Sequence, residues 1–275
     1  MTIGRAVFMR PIEITSSNDS VTFNATAVTI PNGTYANFVT LGYALRTAIR
    51  TVAGLGAANV SFSGTTGKTN MACAAAFSVT WTDTALRDIF GYTGNLSSGT
   101  SHTSTYRPLY AWFSDYTPSD RNTWALDHRS TFAGGMSRSG ELVGMATGPA
   151  IYKRTMVFDA ETADNIFRSA NTTSGAGWHR CLETFIEGAR SAAPTVSTNA
   201  PNHGFWYWYN ASSIDLMETM PSDFQMESTS GAVFGAWCHL TPEGMRTPSA
   251  SLGVKRDWYQ VSLDIHSATV PTWDR

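Results

Sequence analysis

Charge is scarce in this chain. Of its 275 residues only 15% are Asp, Glu, Lys or Arg, against about 25% in an average soluble domain. The 19 basic residues nearly balance the 21 acidic ones, leaving a net charge of −2. No long-range field therefore draws the protein onto nucleic acid or anionic lipid, which argues against dedicated, sequence-specific nucleic-acid binding. Cysteine is scarcer still. Cys73, Cys181 and Cys238 are too few and too scattered for a disulfide framework or for the paired ligands of a zinc ribbon, and they read as buried thiols. No stretch approaches the roughly 18 apolar residues that suggest a membrane span, and MTIGRAVFMRPIEIT at the start lacks the apolar core of a secretory signal. Synthesis in a cytoplasm is expected. The Asn-x-Ser/Thr triplets at Asn18, Asn24, Asn32, Asn59, Asn95, Asn171 and Asn210 then follow from composition rather than from glycosylation.

Thr, Ser, Ala, Asn and Gly fill the place of the missing charge, and apolar residues still make up 42%, enough for a sizeable core. SVTFNATAVTI, from Ser20 to Ile30, alternates apolar with polar residues, the period of a half-buried strand. Pro31, Asn32 and Gly33 form a turn, and Thr34 is a plausible N-cap for the helix that follows. There Tyr35, Phe38, Leu41, Leu45, Ile49 and Val52 make one apolar stripe, ended by Gly54 and Gly56. NVSFSG and the run ending AFSVTW read as a hairpin about Thr65 to Gly67. Thr82 or Asp83 then caps a short helix with Leu86, Ile89 and Phe90 inward and Gly91 as its left-handed stop.

LSSGTSHTST, from Leu96 to Thr105, carries almost no apolar residue and reads as a loop. Beyond it RPLYAWF, AIYKRTMVF, GFWYWYN, AVFGAWC and VKRDWYQVSLDIH are strand-like, and AETADNIFRSA and WHRCLETFIEGAR are helical, the latter with Trp178, Leu182, Phe185 and Ile186 on one face. The expected class is α+β. A small N-terminal sheet with two helices occupies residues 1–97 and a linker residues 98–106. A mainly β, sandwich- or barrel-like part with long loops occupies residues 107–275, interrupted by a helical insertion at about 159–190.

The motifs that carry chemistry fail one by one. GTTGKT, Gly64 to Thr69, has Phe62 where a phosphate loop needs its first glycine and sits in a hairpin, so it reads as a turn. SRSG, Ser137 to Gly140, lacks the glycine of a nucleophile elbow. His102, His128, His179, His203, His239 and His266 are dispersed, with no spacing that brings two imidazoles to one metal. Asp115 with Asp120, or Glu183 with Glu187, supply paired acids of the kind a glycosidase needs. Glu183 and Glu187, however, lie four apart near Arg180 and Arg190, where solvated ion pairs are the simpler account. No catalytic residue, metal ligand or cofactor site is assigned, and no enzymatic activity is expected. The sharpest local anomaly is the run Phe205, Trp206, Tyr207, Trp208, Tyr209, which in a strand puts large rings on both faces. Either both faces are buried, within the chain or against another subunit, or one is an aromatic platform for a sugar or other ligand.

The N-terminal order of strand, GTY turn, helix ending LRTAIRTVAG, VSFSGTTGKTNMACAAAFSVTW and the helix TALRDIFGYTGN resembles a module of tailed-bacteriophage structural proteins. In that module a helix of the form YxxxxxLxxAL leads to a hairpin and an LxxxxGF helix end, here occupied by Phe90, Gly91 and Tyr92. The resemblance covers the first third to 40% of the chain and implies a virion subunit, synthesised and assembled in the host cytoplasm. The first expectation is a tail protein, of the tube, tail-completion or baseplate kind. It would associate with copies of itself and with neighbouring virion proteins into rings around a channel through which DNA passes. The alternative is a capsid decoration or receptor-contacting module that holds a host-surface glycan. A glycan-degrading virion enzyme is a third class. On the subunit reading, replacing Trp206 and Trp208 together with Ala is expected to disrupt assembly or folding; normal assembly of the double variant, followed by electron microscopy, would remove the aromatic run from the interface.

Overall fold

A computed structural model describes residues 7–63, 66–115, 125–127, 132–136, 142–146, 151–167, 181–190, 205–209, 234–245, 249–250 and 258–267. It is mostly sheet with some helix, compatible with an α+β class. The chain opens with β1 (Val7–Met9), β2 (Ile12–Ile14), β3 (Ser20–Phe23), β4 (Thr26–Thr29) and β5 (Gly33–Tyr35). The alternating run at 20–30 is a hairpin rather than one strand. Asn24 and Ala25 adopt φ of 47° and 66°, the two-residue turn whose twist matches that of its flanking strands. Val21 then pairs with Val28. The turn leaves a trace in the sequence, because the apolar phase breaks between exposed Ala27 and buried Val28.

Helix α1 (Phe38–Arg50) buries Phe38, Leu41, Leu45 and Ile49. Its cap is Asn37, not Thr34, which is paired into β5 against Glu13. The Asn37 Oδ1 accepts from the N–H groups of Val39 and Thr40 at 2.9 and 3.1 Å, and Thr40 Oγ1 accepts from the Asn37 N–H at 3.3 Å. Together they close a reciprocal capping box. Strands β6 (Asn59–Phe62) and β7 (Thr69–Thr80) pair antiparallel. Their GTTGKT connection is closed by Ser63 N–H to the Lys68 carbonyl at 2.9 Å and Gly67 N–H to the Ser63 carbonyl at 2.7 Å. It is a hairpin turn, as its sequence context indicated. Helix α2 (Thr84–Ile89) is capped by Asp83, whose Oδ1 accepts from Ala85 N–H at 2.7 Å, and Leu86, Ile89 and Phe90 are buried as expected.

The Ser/Thr-rich run expected to be a loop is strand β8 (Leu96–Thr103). It pairs antiparallel with β7, completing a sheet of order β4-β3-β7-β6 with β8 on β7. The linker reading at 98–106 is thereby corrected. Thr and Ser suit a strand that faces water, and side-chain bonds hold this one in place: the Tyr92 hydroxyl donates to the His102 carbonyl at 2.7 Å and Ser101 Oγ to Asn70 Oδ1 at 2.9 Å. Composition alone does not separate such a strand from a loop.

Beyond it lie β9 (Ala111–Phe113), β10 (Ala125–Asp127), β11 (Phe132–Met136), β12 (Leu142–Ala146) and β13 (Ile151–Thr162). Helices α3 (Ala163–Ile166) and α4 (Leu182–Arg190) follow, then β14 (Phe205–Tyr209), β15 (Phe234–Met245), β16 (Ser249–Ala250) and β17 (Trp258–Ser267). Each of the five strand-like runs contains a strand. The helical insertion is shorter than expected at its start, because β13 continues to Thr162. The large sheet runs β10-β13-β17-β15-β14-β1-β9, with β16 on β17, so the first strand of the chain sits among the last. A division at residue 97 therefore follows no break in the fold: β8 completes the first sheet and β1 belongs to the second.

Strands β1 and β9 join two cores. Val7, Met9, Ala111 and Phe113 pack with the N-terminal elements, whereas Phe8 and Trp112 point to the other side and pack with Phe158, Leu263 and α4. The alternation of a strand makes this division automatic. Five strand steps separate β9 from β13, about 24 Å in a flat sheet. Yet the Trp112 and Phe158 ring centroids are 5.3 Å apart, so the sheet curls around the second core.

The end of α2 locks the first module to the strand pair. Gly91 has φ +82°, and a Cβ there would stand 2.3 Å from the Tyr106 carbonyl oxygen, whose own N–H donates to the Gly91 carbonyl at 2.9 Å. Gly91→Ala combines a left-handed backbone with a backbone clash, and we expect a loss of about 3 kcal/mol in folding free energy by urea denaturation. A change under about 0.5 kcal/mol would contradict the geometry.

Candidate functional site

The chain's chemistry concentrates where the two cores meet, in Arg107, Asp115, Glu161, Thr162 and Asn165. Glu161 is brought there by a register shift. Phe158 pairs with Val261 and Glu161 with Tyr259, so three steps along β13 match two along β17. One extra residue reverses the alternation. Met156 and Phe158 point inward, and after the bulge it is Glu161 that points inward, with 0% of its surface exposed.

Each partner comes from a different element. Asp115, just past β9, donates its backbone N–H to both Glu161 carboxyl oxygens at 3.1 and 2.9 Å. Asn165, in α3, donates from Nδ2 to Glu161 Oε2 at 2.6 Å and to the Phe113 carbonyl at 2.9 Å. Arg107, in the segment between β8 and β9, donates from Nη1 to Asn165 Oδ1 and to the Phe113 carbonyl, both at 2.9 Å. From Nη2 it reaches Asp115 Oδ1 at 3.1 Å, and from Nε the Thr66 carbonyl of the β6–β7 turn at 3.3 Å. The second Asp115 oxygen accepts from the backbone N–H and Oγ1 of Thr162 at 3.1 and 2.7 Å. Trp112 completes the set, its indole N–H donating to the Asn165 carbonyl at 3.0 Å. The network thus spans the β6–β7 hairpin, β9, β13 and α3.

Its electrostatics are uneven. Asp115 and Arg107 form a direct pair, with 17% and 21% of their side chains exposed. Among the described residues Glu161 has no cation of its own within bonding distance. Burial first, and then the neighbouring Asp115 charge, push its carboxyl up to about 8, against the opposing pull of the Asp115 N–H and Asn165 hydrogen bonds. A fully buried carboxyl cannot touch a bound molecule in this conformation. What the cluster can do is hold a proton and hold the two cores in register.

The residues singled out from the sequence fall elsewhere. Phe205 to Tyr209 form β14, an interior strand with β15 on one edge and β1 on the other. Trp208, Tyr207 and Trp206 are paired with Val7, Phe8 and Met9, all of which are buried. Both backbone edges of the aromatic strand are occupied, so it is not an edge to which another chain could add. Asp115 is drawn to Arg107 and Thr162, while Asp120, Ser137 to Gly140, His128, His179, His203 and Trp178 lie outside the described residues. Glu183 sits in the first turn of α4. Cys73 and Cys181 are buried and form no disulfide with each other. Among the described residues no three of His, Cys, Asp and Glu group as a metal site, and no helix is long and apolar enough to cross a membrane.

Sequence reasoning missed Glu161 because it placed AETADNIFRSA in a helix, whereas β13 continues through Thr162 and a one-residue bulge turns Glu161 inward. The available trace was Asn165, four residues on, within reach once a helix begins between them. No family model matches the chain, and neither a curated protein nor a solved structure matches it.

Removing the one guanidinium leaves Asp115 and Glu161 facing each other without compensation. Arg107→Met is expected to cost about 2 kcal/mol, less than a fully buried pair because both partners keep some solvent. Denaturant titration checks this, and an unchanged midpoint would show that the pair contributes nothing.

Proposed function

We propose that this protein is a structural subunit of a tailed-bacteriophage virion, a tail protein that acts by making contacts rather than by catalysis. The reading rests on the resemblance of the N-terminal module, whose matching residues have packing and turn roles: Tyr35, Leu41, Leu45, Phe90 and Tyr92 are buried, and Gly91 is the helix stop. The single observation that carries it furthest is the uncharged character of the exposed residues of β7 and β8. Ala74, Ala75, Ala76 and Thr80, with Ser97, Ser98, Thr100, Ser101 and Thr103, are exposed and bear no charge. Small uncharged side chains on paired strands favour close contact with another protein surface over steering of a charged ligand. The finer parts of the proposal are a curled, barrel-like second part, ring formation around a DNA channel, and residence in the virion after assembly in the host cytoplasm.

Negative-stain electron microscopy of the purified protein across a concentration series tests this. Rings or tubes of uniform diameter are expected. Small particles at every concentration, together with retention of a glycan by a discrete oligomer, would replace the subunit reading with that of a binding module.

A further inference from the structure

We infer that the Arg107–Asp115–Glu161–Asn165 cluster is a proton-operated clasp, which holds the two cores together while Glu161 carries its proton and loosens when that proton leaves. The cluster contains two carboxyls and one guanidinium. The guanidinium is already committed to Asp115 at 3.1 Å, so an ionised Glu161 would be a second anion, with 0% exposure and no ion pair of its own among the described residues. That is an unfavourable state unless something moves.

Among the described residues the groups around Glu161 offer no other cation. The segment after β9 contributes Asp115, the segment before it Arg107, and α3 contributes neutral Asn165; on β17 the paired residue is Tyr259, and on β13 the next residue is Thr162. Asp115 N–H and Asn165 Nδ2, the donors to Glu161, favour its ionised form, so what ionisation strains is the close approach of the Asp115 and Glu161 carboxylates, which Asp115 makes through its own N–H. The Asn165 side chain in turn meets Arg107 and the Phe113 carbonyl, and the Asn165 carbonyl meets the Trp112 indole.

The sign of the pH effect follows. The folded carboxyl titrates at about 8, above its ordinary value of 4.5, so the folded state holds this proton more tightly than the unfolded chain. Its stabilising contribution is complete below about 4.5 and is lost as pH rises through about 8. One proton of difference changes the folding constant about tenfold per pH unit within that window.

The test uses the full chain and compares wild type with Glu161→Gln, which keeps an acceptor oxygen and cannot ionise. Denaturant midpoints are measured from pH 5 to 9, with hydrogen exchange of the Trp112 indole N–H. Wild type should lose stability relative to the variant by up to about tenfold in the folding constant per unit between pH 5 and 8. The difference should level off above that, and the indole should lose protection over the same range in wild type alone. Parallel profiles for the two proteins would overturn the clasp. Should Glu161→Gln not fold, carbon-13 NMR titration of the Glu161 carboxyl in wild type decides instead: an inflection near 8 supports the proposal, and one at 4 to 5 overturns it.

Discussion

The arrangement of the whole molecule depends on Val7, Phe8 and Met9, because the strand they form is buried on both faces by different parts of the chain. Val7 and Met9 face the N-terminal core, and Phe8 faces the core built by β13, β17 and the two later helices. β9 repeats the division, with Ala111 and Phe113 on one side and Trp112 on the other. Two three-residue strands thus serve as the common wall of two compartments. Each large side chain buried there contributes about 1.5–3 kcal/mol, so neither compartment can shed the wall without exposing its own interior.

The polar cluster sits at the rim of that wall, where strands must end and backbone groups need partners. Burying an ion pair beside a second carboxyl adds little net stability, since desolvation offsets most of the Coulombic attraction. Its value lies in direction. Arg107 can meet Asn165, Asp115 and the Phe113 and Thr66 carbonyls together only when the β6–β7 hairpin, β9 and α3 hold one relative position. Hydrophobic packing supplies the cohesion, and the cluster supplies the register.

Much of the N-terminal module was legible because its signals are local. The α1 stripe from Phe38 to Ile49, the Asp83 cap and the Gly91 stop each declare themselves within a few residues and stand in the structure, whereas Tyr35, expected at the head of that stripe, lies in β5 and Val52 past the helix end. What was not legible depends on partners distant in sequence. β8 is a strand because β7 lies beside it, and nothing in LSSGTSHTST distinguishes that from a loop. Glu161 is internal because of a one-residue bulge against β17 about a hundred positions away. β1 leaves its sequence neighbours for a sheet formed largely by the last half of the chain, which hydrophobic periodicity does not reveal. The aromatic run of β14 was conspicuous, yet only the register shows it opposite a fully buried strand.

If β1 and β9 are a shared wall, the two cores must open together. Native-state hydrogen exchange at the backbone amides of Phe8 and Trp112, compared with those of Leu45 in the first core and Leu263 in the second, tests this directly. The account predicts that all four exchange only through global unfolding, with the same opening free energy and the same denaturant dependence. Exchange at Phe8 and Trp112 through a cheaper opening, with Leu45 or Leu263 still fully protected, would show that the compartments separate without unfolding and would contradict it.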